Sequence, residues 1–345
     1  MNRKRFAVIL CIFALILSIL AAGCIMPESS NFNEDITPSV HTLTSDYATR
    51  EDSITIAFVA DARPKLAKDS RKLTGDFNQI LRQSPTGRVD AVVMIGDMEP
   101  INNGSVNTDA AYEASAVKDI PVFFVLGNHE LQNAEDAPLE RAKFADYSYS
   151  PRPGPDGSRN TTYSFELGDM HVVVINEYWD GDANNKCNWH VPGGGLDADD
   201  SCFKYDKDNG GFIPDSLFDW IKDDLGTNNK KWIIAAGHEP LYPWGRQIGK
   251  SLDANKTNRD KLEDMLVSKN VTAFLAGHTH NSGFKTVDNV IHANVGVIGN
   301  YEGYGDSFSS IIYAYVNKTG YFFLEQKYEN PTWEDPGIKT AVKPP

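Results

Sequence analysis

Residues able to hold a metal cation punctuate this chain in a repeated way. Gly277-His278-Thr279-His280 places two imidazoles two residues apart, directly after the apolar run Val271-Thr272-Ala273-Phe274-Leu275-Ala276. That run reads as a buried strand, and neutral imidazole is the commonest nitrogen ligand for zinc, manganese or iron. Four more apolar runs end in the same manner. Ile54 to Ala60 leads into Asp61, and Ala91 to Ile95 into Gly96-Asp97. Val122 to Leu126 leads into Gly127-Asn128-His129-Glu130, and Trp232 to Ala236 into Gly237-His238-Glu239-Pro240. Carboxylate, amide and imidazole donors together suit Zn, Mn, Fe or Co without deciding among them.

The elements that must position these donors follow from the runs themselves. In α/β sheets, ligand-binding residues lie just beyond the carboxyl ends of strands, so five such ends can pool their side chains in one crevice. Glycines before Asp97, Asn128, His238 and His278 supply the tight turns. Between the strands, Leu73, Phe77, Ile80 and Leu81 share one helix face, and Leu217, Trp220, Ile221 and Leu225 another. Asp215 or Ser216 is the expected cap of the second helix. Thr257 with Asp260 resembles a capping box before Leu262, Met265 and Leu266. Ile311 to Val316 and Tyr321 to Leu324, joined by Asn317-Lys318-Thr319-Gly320, read as a hairpin.

Taken in order, the blocks resemble the calcineurin-like metallophosphoesterase superfamily, whose signature is Asp-x-His, Gly-Asp, Gly-Asn-His-(Asp/Glu), Gly-His and Gly-His-x-His. Four of the five match, over roughly Ser53 to Glu329. The resemblance implies an α/β fold, a four-layer αββα sandwich with two central mixed β-sheets. It further implies a dinuclear centre of two divalent or trivalent transition metal ions. Asp97 would bridge them, Asn128, His238 and His278 would complete one site, and Asp61 and His280 would belong to the other. Two adjoining cations can make hydroxide at neutral pH and stabilise in-line displacement at phosphorus, so a small phosphate ester is the expected substrate. His129 resembles the non-ligand histidine that acts on the leaving oxygen, with Glu130 as an orienting partner.

Arg63 departs from the pattern. The family has a ligand histidine there, and a guanidinium stays charged and cannot ligate. The first site would keep Asp61, Asp97 and His280, with Arg63 weakening the cation, gripping a phosphate oxygen in its place, or facing solvent. Glu99 is a conceivable replacement carboxylate. A surface binding module on the same scaffold, with weakened or lost catalysis, is the competing reading. Pro100 stands where purple acid phosphatases carry a ligand tyrosine, so that subclass is not expected. Glu239 stands where many relatives have a second histidine.

The flanks point to export. Arg3-Lys4-Arg5 precedes an apolar run from Phe6 to Leu20, and Ala21-Ala22-Gly23 leads to Cys24, so residues 1–24 read as a signal peptide with a lipoprotein-like end. A plain cleaved signal and an uncleaved anchor are the alternatives. All three place the remainder outside the cytoplasm, the first on a lipid anchor at the membrane. Residues 25–52 are polar and unpatterned and read as a disordered tether, 53–330 as the phosphoesterase-like domain, and 331–345 as a C-terminal tail. Cys187 and Cys202 are the cysteines left outside the signal, and an oxidising compartment favours a disulfide between them. The long polar segment from Trp179 to Gly211 is expected to wall a cleft with Tyr178, Trp179, Trp189 or His190. Several Asn-x-Ser/Thr sequons, Asn255 and Asn317 among them, fit the same exterior. Formal charge is −14, and removal of residues 1–23 takes three of the 33 basic residues and none of the 47 acidic ones, leaving about −17. Such a balance argues against duplex nucleic acid as a partner.

Overall fold

The computed structural model describes residues 53–62, 67–98, 105–131, 152–159, 161–181, 210–299, 308–329 and 337–341. Arg63, Glu99, the signal and tether, Trp189, His190 and both remaining cysteines lie outside them.

Continuous apolar runs make strands buried on both faces, and such strands need cover on both sides. One mixed sheet is built from β1 (Ile54–Val59), β2 (Ala91–Ile95), β3 (Val122–Val125), β11 (Phe308–Val316), β12 (Tyr321–Glu329) and β13 (Gly337–Ala341). Its order is β13-β12-β11-β1-β2-β3. The other comprises β4 (Arg152–Pro153), β5 (Tyr163–Leu167), β6 (Met170–Val174), β7 (Trp232–Ala236), β8 (Ala273–Ala276), β9 (Ser282–Val287) and β10 (Val290–Val295). Its order is β4-β5-β6-β7-β8-β10-β9. Strands β1, β2 and β3 run parallel, as do β6, β7, β8 and β10, while β11 and β5 enter antiparallel.

Alternation along each strand divides the core into three layers. Ile56, Phe58 and Val93 meet Val172, Ile234 and Leu275 between the sheets. Their neighbours Ala57, Val59, Val92 and Met94 face Leu73, Phe77 and Ile80 of helix α1 (Ala67–Arg82) and Ala111 of helix α2 (Ser105–Glu113). On the far side, Val173 and Ala235 pack on Leu217, Ile221 and Leu225 of helix α3 (Asp215–Thr227) and Leu262 and Leu266 of helix α4 (Lys256–Ser268). The result is the four-layer αββα sandwich with two mixed sheets.

Local expectations fared unevenly. The hairpin forms, with Val316 opposite Tyr321. Its turn is tied by Asn317, whose buried Oδ1 accepts from Thr319 N, Gly320 N and Thr319 Oγ1; a glycan has no access to that amide. Asp215 and Ser216 do not cap α3, which starts after Pro214 without a side-chain cap. Helix α4 is capped by Asn255, which accepts from Asn258 N, ahead of the Thr257–Asp260 pair. The sheet also runs past residue 330, because Gly337–Ala341 pairs with β12 through the register Phe323↔Ala341 to Lys327↔Gly337.

Candidate metal centre

Parallel strands expose their carboxyl ends on one edge, and here both sheets do so together. Asp61 follows β1, Asp97 follows β2 and Asn128 follows β3, whereas His238 follows β7 and His278 and His280 follow β8. The six predicted donors therefore come from both sides of the sandwich. Asp97, His238 and His278 form one group of converging donor atoms and Asp61, Asp97 and His280 a second, with Asp97 common to both. His238 Nε2 lies 3.3 Å from Asp97 Oδ1, and His280 Nε2 lies 3.4 Å from Asp61 Oδ1. The His238 and His278 rings are edge to face at 5.1 Å.

Getting these side chains to one point strains the backbone. Asp61, Asp97, His278 and His280 all adopt left-handed conformations, with φ of 54°, 53°, 65° and 58°. Each costs roughly 1–2 kcal/mol for a residue with a Cβ, so the surrounding bonds must hold it. Asp61 Oδ2 accepts from His278 N at 3.0 Å, and Asp61 N donates to Gly96 O at 3.0 Å. Gly277 permits the closure, since a Cβ there would sit 2.7 Å from Asp61 Oδ2.

Glu130 is the clamp for Asp97. Its Oε2 accepts from Asp97 N at 2.9 Å and Gly127 N at 2.8 Å, and its Oε1 from Met98 N at 2.6 Å. The sequence suggested a partner for His129; the carboxylate instead binds the backbone of two ligand turns. His129 stands at the rim, its N donating to Asp97 Oδ1 at 2.9 Å and its Nε2 3.7 Å from Asp97 Oδ2.

Three buried atoms here have no hydrogen-bond partner among the described residues: Asp61 Oδ1, Asn128 Oδ1 and His238 Nε2. All three are lone-pair donors on the predicted ligands, and burying such atoms without partners is costly unless a cation takes them. His238 is prepared for that role, because its Nδ1–H donates to Ile95 O at 2.9 Å and leaves Nε2 inward. The donor set thus fits a transition-metal pair.

Electrostatics couple the donors to one another. Burial alone would raise the Asp97 pKa, but the charges of His238 and His129 hold it well below the ordinary carboxylate range. Burial works against a charge on His238, yet the neighbouring carboxylates Asp97 and Asp61 outweigh burial and raise His238 well above the usual imidazole value, so a cation arriving at Nε2 would take the place of a proton there. Burial and the neighbouring His238 push His278 down to about 3, which keeps it neutral and ready to ligate.

Other expected cleft residues lie elsewhere. Tyr178 and Trp179 are buried in the core, where large aromatic rings are better placed than over a polar site. Tyr178 OH donates to Glu239 Oε1 at 3.0 Å. Glu239 also accepts from Gly211 N and donates its own N–H to Glu177, so it faces inward rather than toward substrate. Sequence reasoning missed this buried pair, and it missed Arg246, whose guanidinium donates to His280 Nδ1. Nothing in loop spacing marks either. A cavity of about 570 Å³ lined by Phe123, Arg152, Phe165, His171 and Asp224 lies at the opposite end of β6. Its Asp224 is tied to Ser164, His171 and Arg152, an arrangement that fastens α3 to the sheet.

Residues 54–282 match the family model described as calcineurin-like phosphoesterase. Among curated proteins, the chain is 26% identical over 160 residues to probable inactive purple acid phosphatase 9 of Arabidopsis thaliana, covering 42% of this chain and 20% of that one. It is 34% identical over 94 residues to the manganese-dependent ADP-ribose/CDP-alcohol diphosphatase of Bos taurus, covering 26% and 27%. The matches therefore span well under half of these relatives. Among solved structures, GAP50, the anchor in the inner membrane complex of Plasmodium, aligns with a TM-score of 0.48 at 13% identity over 85% of this chain and 90% of that one. The protein TT1561 of Thermus thermophilus aligns with a TM-score of 0.45 at 14% identity, over 76% and 98%.

Proposed function

The chain belongs to the calcineurin-like phosphoesterase family, and on that premise we propose that it is an exported, metal-dependent hydrolase of a small phosphate ester. The observation that carries this reading is the pair of converging donor groups, Asp97 with His238 and His278 and Asp97 with Asp61 and His280, that share one carboxylate. Two transition cations held there would supply Lewis-acid polarisation and a water nucleophile for in-line displacement at phosphorus. Asp97 serves both positions, with Asn128, His238 and His278 on one side and Asp61 and His280 on the other. His129, at the rim and within reach of Asp97, donates a proton or a hydrogen bond to the leaving oxygen. Glu130 holds the Asp97 turn and does no proton transfer.

The test is metal content per chain by mass spectrometry together with hydrolysis of generic phosphomonoester and phosphodiester substrates. About two metals per chain, with turnover abolished by Asp97→Asn, is the expected result. A protein with neither metal nor turnover refutes the enzyme and favours the second reading, a binding module whose Arg63 marks lost catalysis.

Residues 1–24 support membrane attachment through a lipid on Cys24, which places the domain outside the cytoplasm. Among the described residues no helix is long and apolar enough to cross a membrane. Membrane fractionation of wild type and Cys24→Ala decides the point: retention of the variant in the membrane fraction overturns lipid anchoring.

A further inference from the structure

The two inward-facing imidazoles His238 and His280 are prepared differently, and the difference lies in their outer nitrogens. His238 Nδ1 faces a carbonyl, Ile95 O, so Nδ1 keeps its proton and Nε2 is the nitrogen a cation can take. His280 Nδ1 faces Arg246 Nη1. A guanidinium has five N–H donors and no acceptor, so His280 Nδ1 must accept, and a neutral ring then carries its proton on Nε2. Nε2 is the atom turned toward Asp61 Oδ1, 3.4 Å away.

Ligation reverses that arrangement. A neutral imidazole that gives its Nε2 lone pair to a cation bears its proton on Nδ1, where it would meet the guanidinium donor to donor. One ring cannot serve both partners. The proton balance is a tautomer change, with one N–H moved from Nε2 to Nδ1 and none gained or lost.

Arg246 cannot go far when it lets go. Asn281, the residue after His280, donates through Nδ2 to Trp244 O at 3.0 Å, and Arg246 N donates to the same carbonyl at 2.8 Å. Gly245, at φ 73°, packs against the Asn281 side chain with no room for a Cβ. The backbone of Trp244-Gly245-Arg246 is therefore fixed beside the metal turn, and only the arginine's own torsions can carry the guanidinium away. Its long side chain stays tethered beside the donors, and its planar fork matches tetrahedral oxyanions.

We propose that Arg246 is a metal-coupled oxyanion grip: ligation through His280 displaces its guanidinium from Nδ1 and delivers it to a phosphate oxygen of the substrate. This rests on the phosphoesterase reading and deepens it, since substrate affinity becomes conditional on the Asp61–His280 side being loaded. Arg246 competes with the cation for His280 and then cooperates with it toward the anion.

The competition gives Arg246→Ala two effects of opposite sign. In Mn²⁺ titrations of the full chain by calorimetry, the weaker Mn²⁺ constant is expected to tighten about tenfold, the scale on which partners of ligating histidines act. Inorganic phosphate, titrated with Mn²⁺ present, is expected to bind about tenfold more weakly, and Arg246→Lys to recover part of that loss. Nitrogen-15 NMR of the ring gives a readout independent of the variants: adding Zn²⁺ to wild type should convert His280 Nδ1 from an acceptor to an N–H signal. The proposal is overturned if Arg246→Ala weakens Mn²⁺ or leaves both constants within twofold, or if Zn²⁺ binds without changing the tautomer. A wild-type chain that binds no Mn²⁺ at all would instead remove the metal centre on which the proposal stands.

Discussion

Replacing Glu130 with glutamine separates holding a ligand from holding the fold. The Glu130 carboxylate accepts three backbone N–H groups, from Asp97, Met98 and Gly127. A carboxamide keeps one oxygen, best spent on the Asp97 and Gly127 bonds, and turns its NH₂ toward Met98 N–H. An unmade buried bond costs about 2 kcal/mol, and loss of charge from the other two roughly 1–2 kcal/mol more. Against this, the wild-type carboxylate is itself penalised. Burial and the charge of Asp97 raise its pKa from 4.5 to about 7, a penalty of about 3 kcal/mol that the neutral amide escapes. The terms nearly cancel, so global stability in urea should change by about 1 kcal/mol or less. The turn does not share in that cancellation. Asp97, at φ 53°, keeps only a neutral acceptor on its N–H and loses the Met98 bond beside it, and Mn²⁺ affinity should fall about tenfold, as when a partner of a metal ligand is weakened. Glu130→Asp, one methylene short of the three N–H groups, should do the same. Calorimetric Mn²⁺ titration beside urea unfolding decides it: an Mn²⁺ constant within twofold of wild type refutes the clamp. Intact metal binding with turnover lowered as in His129→Ala would restore Glu130 as the partner of His129.

Three further outcomes follow from other parts of the molecule. Gly96→Ala places a Cβ 2.5 Å from His238 Nδ1 and 2.7 Å from Gly127 Cα at φ 66°, so it should lose at least about 2 kcal/mol and most bound metal; near wild-type thermal melting and metal content would contradict the close approach. Asp76 is buried, and despite Lys72 and a bond from Ser309 its pKa rises from 3.8 to about 8. The folded state therefore keeps a proton that the unfolded chain releases between pH 3.8 and about 8, so this group makes stability fall with rising pH across that window and level off above it. Asp76→Asn should gain on wild type from about pH 4.5 to about 7.5, by several kcal/mol at most, and a constant difference across that range in urea unfolding would refute the buried neutral acid. Asp224→Ala strands the buried His171 Nε2 and Ser164 hydroxyl, while Arg152 keeps Asp223 and Thr227, and should cost about 3 kcal/mol while leaving metal content unchanged; loss of metal would show that the α3 network reaches the site.

The ligand set was legible because chemistry and chain geometry coincide at strand ends. An apolar run followed by Gly-Asp or Gly-His states both the element and its terminus, and parallel pairing does the rest. What sequence missed depends on direction rather than on order. Glu130 follows His129 directly and invited a pairing, but its carboxylate turns back to Asp97 N, 33 positions away. Tyr178 and Trp179 opened a polar segment and read as cleft residues, yet Glu239 offered Tyr178 OH a buried acceptor. Strand β13 follows a segment rich in proline and acid and is too short to signal itself without β12. Arg246 sits in an irregular loop whose path is fixed by Asn281, a contact no periodicity encodes.

That the donors come from both sheets bears on the order in which a metal can be acquired. The bond from His278 N to Asp61 Oδ2 joins residues 217 apart, so neither half of the centre exists until nearly the whole domain has been threaded and docked. If the proposed export takes place before the chain folds, the chain cannot bring its cations along. It would be loaded by whatever metal the outer compartment offers at the moment the sheets close. From then on, chelation would resist their separation by RT ln(1 + [M]/Kd), about 2.7 kcal/mol at a hundredfold excess over Kd. Metal supply outside the cell would then set how long each molecule survives as well as whether it turns over.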